Sequence, residues 1–225
     1  KEKAKQKHPV RSISFDGGMQ VFIDALANEL KENIIYNCKD KLIKDNVIIC
    51  TSAPAAAKYV ISIAPELSKT LNSIKYNSIS TITIICEREI SFLNKAFGIL
   101  FPPDDPSRAT LGILANDQIF NARTKDDQHF SYTFILKHTE LDPKIIKEEL
   151  EKIREFDTYD SILEIKLTKW KEGLPIYNNE RHQNILKLRA QVLNIKNNIA
   201  FFGNYVDGIS IREIISHAKA FASKF

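Results

Sequence analysis

"FFGNYVDGISIREIISHAKAFASKF", residues 201–225, closes the chain with an apolar strand, a turn bounded by Gly203 and Gly208, and an amphipathic helix. Glycine lets a backbone approach a ligand closely, and a helix N-terminus offers unpaired N–H groups to an anion. The pattern therefore predicts a place that holds an anion or the polar edge of a cofactor. Tight turns without a ligand explain the same glycines, so spacing alone leaves both interpretations open.

Two stretches near the other end of the chain repeat this plan. In "SISFDGGMQVFIDALANEL" (12–30), Ile13 and Phe15 alternate with serines like a half-buried strand, Gly17 and Gly18 break it, and helical spacing begins at Met19. In "NVIICTSAPAAAKYV" (46–60), a short apolar strand, a Thr-Ser turn and a helix follow one another. Strand–turn–helix units are therefore expected at both ends of the chain.

The middle of the chain is rich in strands. Alternating or β-branched runs occupy 78–89, 95–103, 109–116, 129–138 and 161–170, with turn-rich connections. Helical periodicity marks 141–156, where Asp142 is a candidate cap, and 178–195. We therefore predict an α+β fold: a central, mainly antiparallel sheet with flanking helices, and partial α/β elements at both ends.

Composition excludes several classes of protein. The 225 residues carry a net charge of +4 with no dense Lys/Arg patch, which disfavours nucleic-acid binding. No apolar run approaches the roughly 18 residues of a membrane span. Cys38, Cys50 and Cys86 have no CxxC spacing and no histidine cluster, so we expect buried, reduced thiols, no metal site and a cytoplasmic location. The charged start at Lys1, without Met, suggests part of a longer protein.

Candidate chemical residues are few. The histidines form no metal-ligand or Ser/His/Asp pattern, so no catalytic base is assigned. Trp170, at the expected end of a strand, and the nearby Tyr177 are either core or loop anchors or the lining of an aromatic pocket.

Five blocks in order resemble the flavin-containing amine oxidase superfamily, and within it the protoporphyrinogen oxidase family. The blocks are "SFDGGMQVFIDALANEL" (14–30), the run from "NVIICTSAP" to "SISTITI" (46–84), "FGILFPPDDPSRATLGILANDQIFNAR" (97–123), "WKEGLPIYNNERH" (170–182) and "FFGNYVDGISIREIISHAKAFA" (201–222). The resemblance implies an FAD-dependent oxidoreductase that removes hydride from a tetrapyrrole in haem biosynthesis. Segments 12–59 and 192–225 would belong to its FAD-binding domain and 60–191 to its substrate domain.

The resemblance also implies site residues. Gly203 and Asn204 would lie along the ribityl chain of FAD, and the helix N-terminus after Gly208 would meet the pyrimidine edge of the flavin. The remaining implied FAD contacts are Gly17, Gly18, Ile209, Ser210, Ile211 and Arg212, and the implied substrate contacts are Met19, Gln20, Trp170 and Tyr177.

Departures from the family pattern limit these expectations. The GxGxxG unit that binds the FAD pyrophosphate is missing, so the resemblance covers only the C-terminal part of such an enzyme. This chain by itself is expected to hold FAD weakly and to be inactive. Arg212, Glu213 and Ile214 replace family residues, as does Arg181 before His182.

Alternatives to a protoporphyrinogen oxidase stay open. The strand at 78–85 offers Ser80 and Thr81 where amine oxidases carry a lysine, which argues against amine oxidation. Another flavin oxidoreductase of the superfamily, of amine oxidase or desaturase type, is one alternative, and a non-catalytic interaction module that binds no FAD is another. Peripheral membrane association also stays open.

Overall fold

The α+β prediction is confirmed by a computed structural model, which describes residues 13–38, 46–120, 124, 128–137, 142, 144–195 and 198–223. Ser12, the predicted start of the first segment, lies outside the described residues. The helices are α1 (Gln20–Glu29), α2 (Ala53–Val60), α3 (Pro65–Asn72), α4 (Asn116–Ile119), α5 (Lys144–Lys152), α6 (Phe156–Asp160), α7 (Asn179–Val192) and α8 (Ile211–Ala222). The strands are β1 (Asn46–Ile49), β2 (Tyr76–Cys86), β3 (Gly98–Leu100), β4 (Thr110–Ala115), β5 (Phe130–Leu136), β6 (Ile162–Pro175) and β7 (Asn198–Phe201).

The described strands form two sheets. Five strands make an antiparallel sheet in the order β3-β4-β5-β2-β6, and β1 pairs with β7 in a parallel ladder. Compact packing divides the chain into a first unit (Lys1–Cys38, Ile82–Ile135 and Asp142–Leu167) and a second unit (Lys39–Thr81, Leu136–Leu141 and Thr168–Phe225). The assignment of residues 12–59, 60–191 and 192–225 to the domains of an FAD enzyme stays a prediction.

The first unit contains a fully buried carboxylate. Glu149 on α5 accepts hydrogen bonds from the Thr110 hydroxyl at 2.6 Å, the Ala109 amide at 3.0 Å and Lys152 at 2.9 Å. Arg108 completes the set at 3.3 Å. Burial alone would raise the pKa of Glu149, but the donors outweigh burial and the pKa is lowered. Glu149 therefore fixes the start of β4 against α5.

The second unit is built on the parallel strand pair. Ile49 of β1 lies opposite Phe201 of β7, and both are buried in one apolar cluster with residues of α2, α3 and α7. Ala53, Ala56 and Ala57 of α2 are fully buried, and their small side chains suit the close packing of α2 against α3. Tyr205, in the loop after β7, belongs to the same cluster.

Four local predictions are wrong. Residues 13–15 form no strand: Ile13 is 81% exposed, and the Phe15 ring stacks on Phe22 at 5.9 Å instead. The helix predicted over 141–156 ends at Lys152, because Arg154 has a positive φ of 60°. Trp170 lies inside β6, which continues to Pro175. Of the cysteines, only Cys86 is buried.

Candidate functional site

The candidate site lies at the carboxyl ends of β1 and β7. Because the strands are parallel, the chain leaves both at the same edge, and Phe202 N–H donates to the Ile49 carbonyl at 3.0 Å. Ligands of open parallel sheets bind at the edge where the carboxyl ends of the strands lie. The residues that follow β7, 203–210, form a loop that we call the glycine loop, and they lead directly into α8.

Gly203 gives the glycine loop its shape. Its φ is +140°, which L side chains rarely adopt. Its N–H donates to Asp207 Oδ2 at 3.0 Å, and its carbonyl accepts the amides of Val206 at 3.0 Å and Asp207 at 2.9 Å. The polar backbone groups of Gly203 are thus used inside the loop, so its contribution is conformational.

The N-terminus of α8 is closed by a capping box. The Ser210 hydroxyl accepts the Glu213 amide at 3.2 Å, and Glu213 Oε2 accepts the Ser210 amide at 3.3 Å. Gly208, with a φ of +114°, leaves room for this carboxylate, since a Cβ there would lie 2.6 Å from Glu213 Oε2. Ser210 therefore serves as the cap, and Ile211 and Arg212 are the first-turn residues whose amides the box leaves for a ligand.

Tyrosine side chains pack beneath the glycine loop. Tyr205 is fully buried, and its hydroxyl has no hydrogen-bond partner among the described residues. Burial, with the nearby Tyr76, Cys50 and Asp207, raises the pKa of Tyr205. The Tyr76 hydroxyl accepts the Ala53 amide at the start of α2 at 3.1 Å. The hydroxyls of Tyr76 and Tyr205 are therefore neutral at ordinary pH.

Tyr177 connects the start of α7 to the glycine loop. Its hydroxyl donates to the Asn204 carbonyl, and the Arg181 guanidinium lies 4.0 Å from the centre of its ring. Tyr177 is 45% exposed and Trp170 is 55% exposed, so neither anchors a core. The structure brings Tyr177 to Asn204, and it records no such contact for Trp170 among the described residues.

Predicted site residues 17–20 belong to the first unit. Gly17 and Gly18 have φ values of +82° and +87°, and the Gly18 amide donates to the Phe15 carbonyl at 2.8 Å. Met19 is 41% exposed, and the Gln20 side chain donates to Asp24 at 2.8 Å. Gly17 and Gly18 thus form a tight turn before α1, of which Met19 is the N-cap and Gln20 the first residue.

A histidine and an aspartate meet beside the glycine loop, and the sequence did not predict their contact. His217 Nδ1 of α8 lies 3.3 Å from Asp207 Oδ1, the second oxygen of the carboxylate that accepts the Gly203 amide. Both residues line a cavity of about 650 Å³ that is otherwise mostly apolar, where Phe202 and Phe221 meet edge to face at 5.0 Å. The ten-residue spacing of the pair carries no motif, so only the loop geometry reveals it.

Two negative findings concern only the part of the chain that the structure describes. No group of three or more His, Cys, Asp or Glu side chains there could hold a metal ion. Within the same residues, no helix has both the length and the apolar character needed to cross a bilayer.

Comparisons with solved structures give strong matches at low identity. A protein from Exiguobacterium sp. 255-15, provisionally named a protoporphyrinogen oxidase, matches 80% of this chain and 40% of its own, with a TM-score of 0.64 and 17% identity. A reduced UDP-galactopyranose mutase matches 84% of this chain and 46% of its own (TM-score 0.62, 13% identity). An oxidoreductase from Methanosarcina mazei matches 92% and 55% (TM-score 0.51, 13% identity).

These matches define the class of fold. The chain has a fold of the flavin-dependent oxidoreductase type, and it spans about half the length of the solved structures that it resembles. No family model matches the sequence. No curated protein matches it either.

Proposed function

We propose that the protein is the C-terminal part of an FAD-dependent oxidoreductase that acts on a tetrapyrrole, most like protoporphyrinogen oxidase. The observation that carries this proposal is the glycine loop at the carboxyl ends of β1 and β7, in a chain whose fold is of the flavin-dependent oxidoreductase type. The order of the five sequence blocks favours a tetrapyrrole over the other substrates of the superfamily.

The residues of the glycine loop fit a flavin in three respects. The positive φ values of Gly203 and Gly208 let the chain turn tightly from the carboxyl end of β7 into the first turn of α8. The capping box uses the amides of Ser210 and Glu213. It leaves the amides of Ile211 and Arg212, in the first turn of the twelve-residue helix α8, for a ligand. The buried, unpartnered hydroxyl of Tyr205 offers one donor beneath the loop.

Each residue then has a definite part in binding. FAD, when bound, supplies the redox chemistry by accepting hydride from the substrate. The N-terminal end of α8 carries partial positive charge, which stabilises negative charge on a bound ring by about 1 kcal/mol. Asp207 holds the loop shape through the Gly203 amide, and Tyr177 fixes Asn204 through its carbonyl. Trp170 and Tyr177 remain proposed substrate contacts.

Two measurements on the full-length protein test the proposal. Purified protein supplemented with FAD should retain the yellow flavin absorbance after gel filtration, and the loaded protein should oxidise protoporphyrinogen. Retained flavin without that oxidation would point to another flavin oxidoreductase of the superfamily. Protein that keeps no flavin would instead support the non-catalytic interaction module.

A further inference from the structure

Arg181 is a cation in an unfavourable place. It lies in the first turn of α7, where its backbone amide donates to the capping side chain of Asn178 at 2.8 Å. The N-terminal end of a helix already carries partial positive charge, so a cation there is disfavoured by roughly 0.3–1 kcal/mol. This charge therefore needs a compensating group.

The described residues provide no such group. Arg181 Nε is buried and has no hydrogen-bond partner among them, and none of their carboxylates forms an ion pair with its guanidinium. The nearby carboxylates are used elsewhere: Glu180 pairs with Lys75 at 3.2 Å, Glu172 accepts the Ser52 hydroxyl at 2.6 Å, and Glu213 closes the capping box. A buried donor left without an acceptor costs about 1–3 kcal/mol.

The side chain of Arg181 is held beside the glycine loop. Its guanidinium stacks on Tyr177, and the Tyr177 hydroxyl donates to Asn204 in that loop. Burial raises the pKa of Tyr76, whose hydroxyl accepts the first amide of α2, and the Arg181 charge is among the effects that oppose this rise. A stacked guanidinium has a fixed orientation, and its planar fork of donors matches a planar anion with two acceptor atoms.

We propose that Arg181 recognises a planar anionic group of the ligand bound at the glycine loop. This inference rests on the proposed function. Two groups share the required chemistry: a carboxylate of the tetrapyrrole substrate, and the pyrimidine edge of the reduced flavin, which carries negative charge. Both would present two acceptor atoms in one plane to the guanidinium fork.

The test uses the full-length protein, with Arg181→Gln, Arg181→Lys and Tyr177→Phe as variants. Lys187→Gln is the matched control, because it removes one positive charge from an exposed position of the same helix, away from the cavity that Asp207 and His217 line. The probes are FAD, protoporphyrin IX, which carries two carboxylates, and its dimethyl ester, which carries none. Thermal unfolding first shows which variants are folded, and Tyr177→Phe keeps the stacked guanidinium while loosening its attachment to the loop.

If Arg181 binds a carboxylate of the substrate, Arg181→Gln should weaken protoporphyrin IX binding about tenfold, the equivalent of one charge-assisted hydrogen bond. Binding of the ester should stay unchanged. If Arg181 instead contacts the pyrimidine edge of the flavin, Arg181→Gln should leave porphyrin binding unchanged. It should weaken FAD binding and make the midpoint potential of the bound flavin more negative. In either case Arg181→Lys should recover only part of the loss, since lysine lacks the planar fork. Tyr177→Phe should give a smaller loss of the same kind.

The inference would be overturned if Arg181→Gln and Lys187→Gln gave the same binding constants and the same midpoint potential. A wild-type protein that binds FAD would at the same time leave the proposed function intact. If the wild type binds neither FAD nor porphyrin, the proposed function fails and this inference fails with it. Porphyrin binding that depends on Arg181, in a protein that binds no FAD, would support this inference and overturn the proposed FAD dependence.

Discussion

Two turns of this chain carry two glycines each and lead into an amphipathic helix, yet they are built differently. The turn at Gly17 and Gly18 follows no strand, and α1 after it has no side-chain cap. The turn at Gly203 and Gly208 follows β7, which is paired with β1, and ends in a capping box. The second turn is held by a contact from outside itself, the hydrogen bond from Tyr177 to the Asn204 carbonyl.

The difference shows what glycine contributes to a site. A positive φ permits a backbone shape, but neighbouring groups must hold that shape before it can bind a ligand repeatedly in one geometry. In the second turn, Asp207 holds the Gly203 amide and Tyr177 holds the Asn204 carbonyl. In the first turn, the recorded backbone bonds stay within residues 15–22.

Gly208→Ala should have the largest effect on stability, about 2–3 kcal/mol. A left-handed φ costs an alanine about 1–2 kcal/mol, and its Cβ would displace the Glu213 carboxylate, whose oxygen lies 2.6 Å away, from the cap. Gly17→Ala is the matched comparison: its Cβ would meet only the Val21 side chain at 3.1 Å, so about 1–2 kcal/mol is expected. Urea unfolding of both variants measures the difference.

The affinity for FAD should also distinguish these two variants. Gly208→Ala should weaken FAD binding, and Gly17→Ala should change it less. Equal losses of stability and of affinity in the two variants would show that the two turns are equivalent, contrary to the comparison made here.

The first unit should instead be sensitive to acid, through Glu149. Its folded-state pKa is lowered below the ordinary value of 4.5, so it contributes stability above that pH and loses it as the pH falls through the folded pKa. Thr110→Val removes the 2.6 Å hydrogen bond, raises the folded pKa and should cost about 1–2 kcal/mol near neutral pH. Acid unfolding followed by circular dichroism should then begin at higher pH than in the wild type.

An unchanged acid transition in Thr110→Val would mean that Glu149 does not control the stability of this unit. The same substitution should leave FAD binding unaltered, since the glycine loop belongs to the second unit. A loss of flavin in Thr110→Val would therefore contradict the separation drawn between the two units.

Ser210→Ala should have the smallest effect, about 1 kcal/mol, because it removes one side of a capping box while Glu213 can still reach the first amide. Ser223→Ala, at the exposed C-terminal end of α8, is the control, and its loss should stay below about 0.5 kcal/mol. Thermal unfolding of the two variants side by side measures the contribution of the cap. Equal melting temperatures would show that the box adds nothing.

The sequence predicted the regular elements well where local patterns dominate. β2 has alternating β-branched residues, and α2 has Pro54 in its first turn, so both were identifiable from local pattern alone. Residues 13–15 have an alternating pattern too, but a strand also requires a partner strand, which local sequence does not specify. The predicted helix over 141–156 ends four residues early, at Lys152, because Arg154 adopts a left-handed backbone that no sequence pattern marks.

The candidate site was only partly predictable, for a similar reason. Gly203, Gly208 and the start of α8 follow from glycine spacing and helical periodicity. The contacts that hold them could not be predicted. Tyr177 and Asn204 are 27 residues apart, and the spacing of Asp207 and His217 matches no known motif. The sequence also did not mark Ser210 as the cap of α8, and its expected contact with FAD stays a prediction.

The central claim is that the glycine loop and the first turn of α8 hold the flavin, and backbone hydrogen exchange tests it most directly. Adding FAD to the full-length protein should slow exchange at the amides of Asn204, Ile211 and Arg212, while Gly203, whose amide is already bonded to Asp207, changes little. Bound FAD that slows exchange elsewhere and leaves residues 203–212 unchanged would contradict the account.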